Sequence, residues 1–147
     1  MRINAFSDVC LRVVMVLCAA PENVTLTSRV VAAEVGTPYN HVSKALVRLR
    51  ELGLVEAIRG RSGGVRISAR GRAATVGALL RQLDTRTDLA ACETVAGPCP
   101  LISGCGLRGA LRRARESFYR ELDGLVISSL PHGKSGGTVL VELGLVR

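Results

Sequence analysis

Phe6, Val9, Cys10, Val13, Val14 and Leu17 recur at intervals of three and four residues, which lays one apolar stripe along a helix. The run from Val13 to Ala20 before Pro21 has the composition of a signal-peptide core, but Asp8 and Arg12 interrupt the approach to it. The pattern therefore favours the amphipathic first helix of a cytoplasmic protein. Thr25 to Val35 reads as a second, short helix that ends at Gly36. Thr37 then offers an N-cap hydroxyl and Pro38 a first helical position, which together open a third helix. Its core face is Val42, Ala45, Leu46, Leu49 and Leu52, and Gly53 stops it. After Gly53 the period drops to two. Leu54 to Arg59 and Val65 to Ser68 read as strands around Gly60, Arg61, Ser62, Gly63 and Gly64, a hairpin with a basic tip. Two short helices joined by a tight glycine turn and followed by such a hairpin make a winged helix-turn-helix.

Past Gly71, the positions Val76, Leu79, Leu80 and Leu83 mark another helix ahead of Asp84. Residues 85–106 break the pattern with Thr, Gly and Pro, and they carry Cys92, Cys99 and Cys105. A long helix is expected from Leu107 to about Leu130, with Leu107, Leu111, Ala114, Phe118, Leu122 and Leu125 on one face and Arg108, Arg112, Arg113 and Arg115 on the other. A helix that outreaches so small a domain is suited to pair with a second copy, so a homodimer is expected. The expected fold class is mainly α, a winged helix-turn-helix with a long C-terminal dimerisation helix. The expected organisation is a DNA-binding domain over 1–84, a cysteine loop over 85–106, the dimerisation helix over 107–130 and a tail over 131–147.

Composition narrows the partner. Of 147 residues, 48% are hydrophobic and 22% charged, which excludes a disordered chain. No apolar run reaches the roughly 18 residues of a membrane span, and no membrane association is expected. The net charge of +8 favours an anionic partner, and Lys44, Arg48, Arg50, Arg59, Arg61, Arg66, Arg70 and Arg72 against Glu51 and Glu56 concentrate +6 of it in residues 38–72. The third helix begins with polar residues and is basic, as a helix entering the major groove must be. Thr37, Pro38, Tyr39, Asn40, His41, Ser43, Lys44 and Arg48 are its candidate DNA-contacting positions, with Asn40 suited to adenine and Lys44 and Arg48 to guanine edges or phosphates. Arg59, Arg61 and Arg66 on the wing would meet the backbone or the minor groove. The plainer reading is a solvated basic face.

Cys10 and Cys18 lie among apolar residues of the first helix and read as small buried hydrophobes. Cys92, Cys99 and Cys105, separated by six and five residues, are too loosely spaced for a paired zinc ribbon but can wrap a cluster. Soft thiolates select an iron-sulfur cluster, zinc or Cu(I), and the loop itself supplies no fourth ligand. His132 lies well beyond it. A redox disulfide and inert thiols remain the alternatives. With two histidines, no Ser/His/Asp set and no phosphate-binding glycine loop, an enzyme is not expected.

Phe6-Ser7-Asp8 with Leu11-Arg12, Pro38-Tyr39-Asn40-His41 with Lys44-Ala45-Leu46, the wing Arg59 to Gly64, and above all Cys99-Pro100-Leu101-Ile102-Ser103-Gly104-Cys105 together resemble a known family over residues 1 to about 130. It is the family of small dimeric bacterial iron-sulfur winged-helix repressors that includes the NsrR and IscR groups. In the IscR group a histidine three residues after the last cysteine completes the cluster site, and Arg108 stands there in this chain. The resemblance is therefore closer to the NsrR group, the nitric oxide sensors. It implies a [4Fe-4S] cluster held by Cys92, Cys99 and Cys105, with Asp8 of the other subunit as fourth ligand and Arg12 orienting that carboxylate. It implies further that nitrosylation of the cluster releases the repressor from palindromic double-stranded operator DNA. The gap between Cys92 and Cys99 is longer than is common in the family. Without the resemblance, Asp8 and Arg12 read as an ordinary i,i+4 ion pair. A [2Fe-2S] regulator of redox or iron status is the alternative, followed by a DNA-coating protein with structural zinc and, last, a thiol-disulfide enzyme.

Overall fold

The computed structural model describes residues 3–86, 89–94 and 97–130, so the expected tail from Pro131, with His132 and the apolar stretch 139–146, lies outside the described residues. Helix α1 spans Ala5–Ala19, its first turn capped by the Asn4 side chain, which accepts from Ser7 N–H at 2.7 Å. Val9, Cys10, Val13, Val14 and Leu17 of the expected stripe are buried, joined by Val16, while Phe6 at its start is 39% exposed. Cys10 behaves as a core hydrophobe: burial pushes its thiol up to about 12 against the opposing field of Arg48. Around α1 pack α2 (Ser28–Val35), α3 (Tyr39–Glu51) and α5 (Val76–Leu83). The last carbonyls of α1 are met by Arg72, which reaches Cys18 O at 3.4 Å and Ala20 O at 3.5 Å from α4 (Ala69–Arg72).

Three boundaries differ from the expected ones. Helix α2 starts at Ser28, capped by Thr27, because Leu26 is taken by the sheet: its N–H and C=O exchange hydrogen bonds with Val65 at 2.9 and 2.8 Å. The wing is thus a three-stranded device, with β1 (Val55–Ile58) and β2 (Gly64–Ile67) paired antiparallel and Leu26 on the outer side of β2. Gly64 is required there, since a Cβ would stand 2.6 Å from Leu26 O. Thr25 ties the tip down by donating from Oγ1 to Ser62 O at 2.8 Å. Second, Thr37 does not cap α3. The N–H groups of Gly36 and Thr37 close the end of α2 on Ala33 O and Ala32 O, with Gly36 left-handed at φ 65°, and α3 follows Pro38 without a side-chain cap.

Third, the helix expected over 107–130 is α6, Gly106–Leu122. At Asp123 and Gly124 the chain turns back. Val76 N–H donates to Leu125 O and Ile127 N–H to Ala74 O, each at 2.9 Å, and a 3-10 turn over Ile127–Ser129 seats a fully buried Ile127 beside α1. Leu125, placed by periodicity on the helix face, is instead 43% exposed.

Helix α6 lies on α5 at backbone distance because of Gly77: a Cβ there would stand 2.2 Å from Tyr119 O and 2.4 Å from an Asp123 carboxylate oxygen. Polar bonds surround this contact. Arg81 bridges Asp123, at 2.9 and 3.1 Å, and Glu116, at 3.0 Å. Asp84, its side chain buried at the end of α5, accepts from Arg86 Nε at 2.9 Å and from the Tyr119 hydroxyl. Burial alone would raise the Asp84 carboxyl, but the bonds from Arg86 and Tyr119 outweigh it and lower it from 3.8 to about 2.

Two outcomes follow. Gly77→Ala forces α6 off α5 and lowers stability by about 1–3 kcal/mol in urea unfolding, the cost of overpacking a close contact. Because the folded carboxyl of Asp84 titrates lower than the unfolded one, its contribution is complete above about pH 4 and disappears as pH falls toward 2. Asp84→Asn therefore removes about 2 kcal/mol at neutral pH and flattens the acid limb of a stability-against-pH curve between those two values.

Candidate functional site

The N-terminal half of α3 presents Pro38, Tyr39, Asn40, His41 and Lys44 to solvent, with Thr37 and Ser43 half-buried beside them. The opposite face, Val42, Ala45, Leu46 and Leu49, is buried, so the helix cannot rotate to withdraw its polar residues. Arg48 is held by Glu51 at 3.1 Å, one turn further along. At the tip of the wing Arg59 and Arg61 are exposed and, among the described residues, make no ion pair. Arg66 differs. On β2 it pairs across the strands with Glu56 at 2.8 Å, so a DNA contact by Arg66 must compete with that carboxylate.

Within 38–72, Lys44, Arg59 and Arg61 make no ion pair among the described residues, while Arg48, Arg66 and Arg72 are held by Glu51, Glu56 and Glu22. One further cation joins this face from outside that stretch. Arg29, on α2, lies with its guanidinium carbon 5.3 Å from the centre of the Tyr39 ring.

Between Cys92 and Cys99 the described residues form a short antiparallel pair. Strands β3 (Glu93–Thr94) and β4 (Gly97–Pro98) pair with Glu93 opposite Pro98 and Thr94 opposite Gly97. Cys99 N–H donates to Cys92 O at 2.8 Å, so the two cysteines face each other across the base of this pair. A turn from Cys99 O to Ile102 N–H, 3.0 Å, then leads through Gly104, left-handed at φ 75°, to Cys105. Cys105 is the N-cap of α6, its sulfur accepting from Arg108 N–H at 3.5 Å. No disulfide joins the three cysteines, and Cys92 is buried while the other two are half-buried. The donor chemistry fits a thiophilic metal group. Among the described residues no three His, Cys, Asp or Glu side chains stand together as a metal site.

Asp8 and Arg12 lie one turn apart on the solvent side of α1, joined at 2.7 and 3.2 Å, each about half exposed. Asp8 opens onto a groove shared with Ile3, Asn4, Ala5 and Arg86. Arg86 belongs to the Asp84–Tyr119 set, which no sequence spacing announces: Asp84 and Tyr119 are 35 residues apart, and only the α5–α6 contact joins them. Arg115 completes the set by donating to Arg86 O at 2.8 Å. The groove at Asp8 is therefore continuous with the bonds that hold α6.

The start of α6 is left uncovered within one chain, while Phe118 and Leu122 further along pack against the core. Leu107 is 66% exposed, with Leu101 beside the helix start at 72%, and Tyr119 is the one buried residue of α6.

Comparison with known proteins agrees with this architecture. Among solved structures, a T. potens IscR superposes with a TM-score of 0.65 over 90% of this chain and 94% of its own, at 15% identity. The cysteine regulator CymR of B. subtilis superposes at 0.64 over 86% and 93%, at 20% identity. These likenesses show the fold, a winged helix-turn-helix. By sequence, the HTH-type transcriptional repressor NsrR of Streptomyces coelicolor is 43% identical over 141 residues, 95% of each chain. A regulator of the same name from Geobacillus kaustophilus is 34% identical over 88% of this chain and 89% of its own. No helix among the described residues is long and apolar enough to cross a membrane. The family model described as Rrf2, iron-dependent transcriptional regulator, matches residues 3–141, and the chain belongs to that family of DNA-binding transcription regulators.

Proposed function

We propose that this chain is a cytoplasmic, homodimeric repressor that carries an iron-sulfur cluster between its subunits and leaves its operator in response to nitric oxide. The observation that carries the reading is that three cysteines outside any disulfide, Cys92, Cys99 and Cys105, sit on the one segment joining the winged helix-turn-helix to α6. Three thiolates and one oxygen ligand suit a [4Fe-4S] cluster, with [2Fe-2S] as the alternative. Asp8 of the partner subunit is the fourth ligand, and Arg12 orients it. In support, the Asp8 carboxylate is directed by Arg12 yet half exposed over an open groove, as a group serving another chain must be. The exposed Leu107 at the start of α6 supports the same dimer. When bound, the cluster supplies a reactive iron at its oxygen-ligated corner, the poorest match for a soft metal group.

The remaining steps belong to the protein. Cys105 caps α6 and Cys92 and Cys99 anchor the strand pair before it, so a change in what these thiols hold is felt first at the start of α6. Helix α6 is clasped to α5, and Ile127 after it seats beside α1, on which α3 also packs. Displacement of α6 in both subunits therefore alters the separation of the two α3 helices. A palindromic operator requires them one helical turn apart. Tyr39, Asn40, His41, Ser43 and Lys44, with Thr37, Pro38 and Arg48, meet the major groove, and Arg59, Arg61 and Arg66 meet the backbone or minor groove.

Protein purified without oxygen is expected to contain about four iron and four sulfide per chain, with a visible band lost on nitric oxide addition together with operator binding. About two of each assigns the redox or iron-status reading, and zinc or no metal overturns both. Asp8→Ala is expected to change the visible spectrum and slow the nitric oxide response while leaving thermal unfolding of the metal-free protein unmoved, since an exposed ion pair contributes little to stability. An unchanged spectrum and response removes Asp8 from the site.

A further inference from the structure

We infer that Arg29, steered by the ring of Tyr39, is a phosphate-contacting residue of the operator interface. Three observations lead there. Arg29 is an exposed residue of α2, and its guanidinium lies 5.3 Å from the ring centre of Tyr39, the first residue of α3, so it stands at the entrance of the recognition helix. Tyr39 is itself 45% exposed, an uneconomical place for a large ring unless its face is used. Among the described residues no carboxylate pairs with Arg29, whereas Arg48 and Arg66 on the same side are held by glutamates.

A guanidinium stacked on an aromatic face keeps its in-plane N–H donors free. That is the geometry a phosphate needs, and the stack restricts a side chain that would otherwise sample many rotamers. Arg29 thus offers a pre-oriented cation at the junction of the two helices, where an HTH unit crosses the DNA backbone. A phosphate contact fixes register and carries no base preference. Tyr39 is the positioning residue, acting through Arg29 in addition to any contact of its own. The inference rests on α3 as the recognition helix.

The test is fluorescence anisotropy of anaerobically purified protein over a range of salt, with a duplex selected by the protein from a random pool and a scrambled duplex. Arg29→Ala is expected to lower the salt slope by about 0.9 and to weaken both duplexes about eightfold at about 0.1 M salt, the effect of one lost counterion release. Thermal unfolding should not move, which separates a DNA contact from a structural stack. Arg29→Lys should restore the slope, because the charge returns. In a Tyr39→Leu background, Arg29→Ala should cost much less than in the parent, and equal costs in the two backgrounds overturn the positioning role of Tyr39. Lys44→Ala separates the two levels of the argument. If it weakens binding while Arg29→Ala leaves affinity and slope unchanged, the inference about Arg29 fails alone. If neither variant changes binding, α3 is not the recognition helix and both readings fall.

Discussion

Burial of the apolar stripe of α1 is the contact on which the other parts depend. Cys10, Val13, Val14 and Leu17 are closed off from solvent, and α2, α3, α5 and the turn carrying Ile127 all pack around that helix. A domain of this size has one core, and here most of it is built around one helix. The Asp8–Arg12 pair and the polar face of α3 therefore share one core. The solvent side of α1 carries Asp8 and Arg12, while its buried side supports the helix that presents Asn40 and Lys44. Close-packed interiors move as units, so a displacement imposed on one side of α1 reaches the other.

The second constraint is the meeting of α5 and α6. With no side chain at Gly77, the two helices approach until further approach is blocked by backbone, and Arg81 and Asp84 then bind partners on α6. Cys92, Cys99 and Cys105 lie in the chain between these two helices. At Cys105 the sulfur is both a candidate ligand and the cap of α6, so the state of the thiol and the direction of the helix are linked. The Asp84 set also lines the cleft where the first residues of α1 meet α6, next to the groove that Asp8 faces.

Much of this was legible beforehand where a local rule applies. The core face of α3, the stop at Gly53 and the hairpin around its glycines follow from period and from residues that tolerate particular backbone angles. The start of α2 and the end of α6 were not legible. Leu26 and Ile127 each have an apolar character that suits a helix, yet each is claimed by a distant strand or segment, Val65 and Ala74, through backbone bonds that carry no side-chain signature. The cysteines were found by spacing, but the facing of Cys92 and Cys99 rests on a strand pair too short to show a pattern.

By itself the sequence determined the order of the elements, the basic character of α3 and the wing, and the three thiols in one loop. These are properties of near neighbours, where 3.6-residue and two-residue periods, caps and residue chemistry act within a few positions. Only the tertiary structure decided which cations are free and which are held, since Arg66 meets Glu56 across a sheet and Arg29 meets Tyr39 across a helix turn. It also decided that Asp84, Arg86 and Tyr119 form one hydrogen-bonded set. The physical reason is the same in each case: electrostatic and hydrogen-bond partners are chosen by distance in space, and spatial neighbours far apart in the chain exist only once the core has closed.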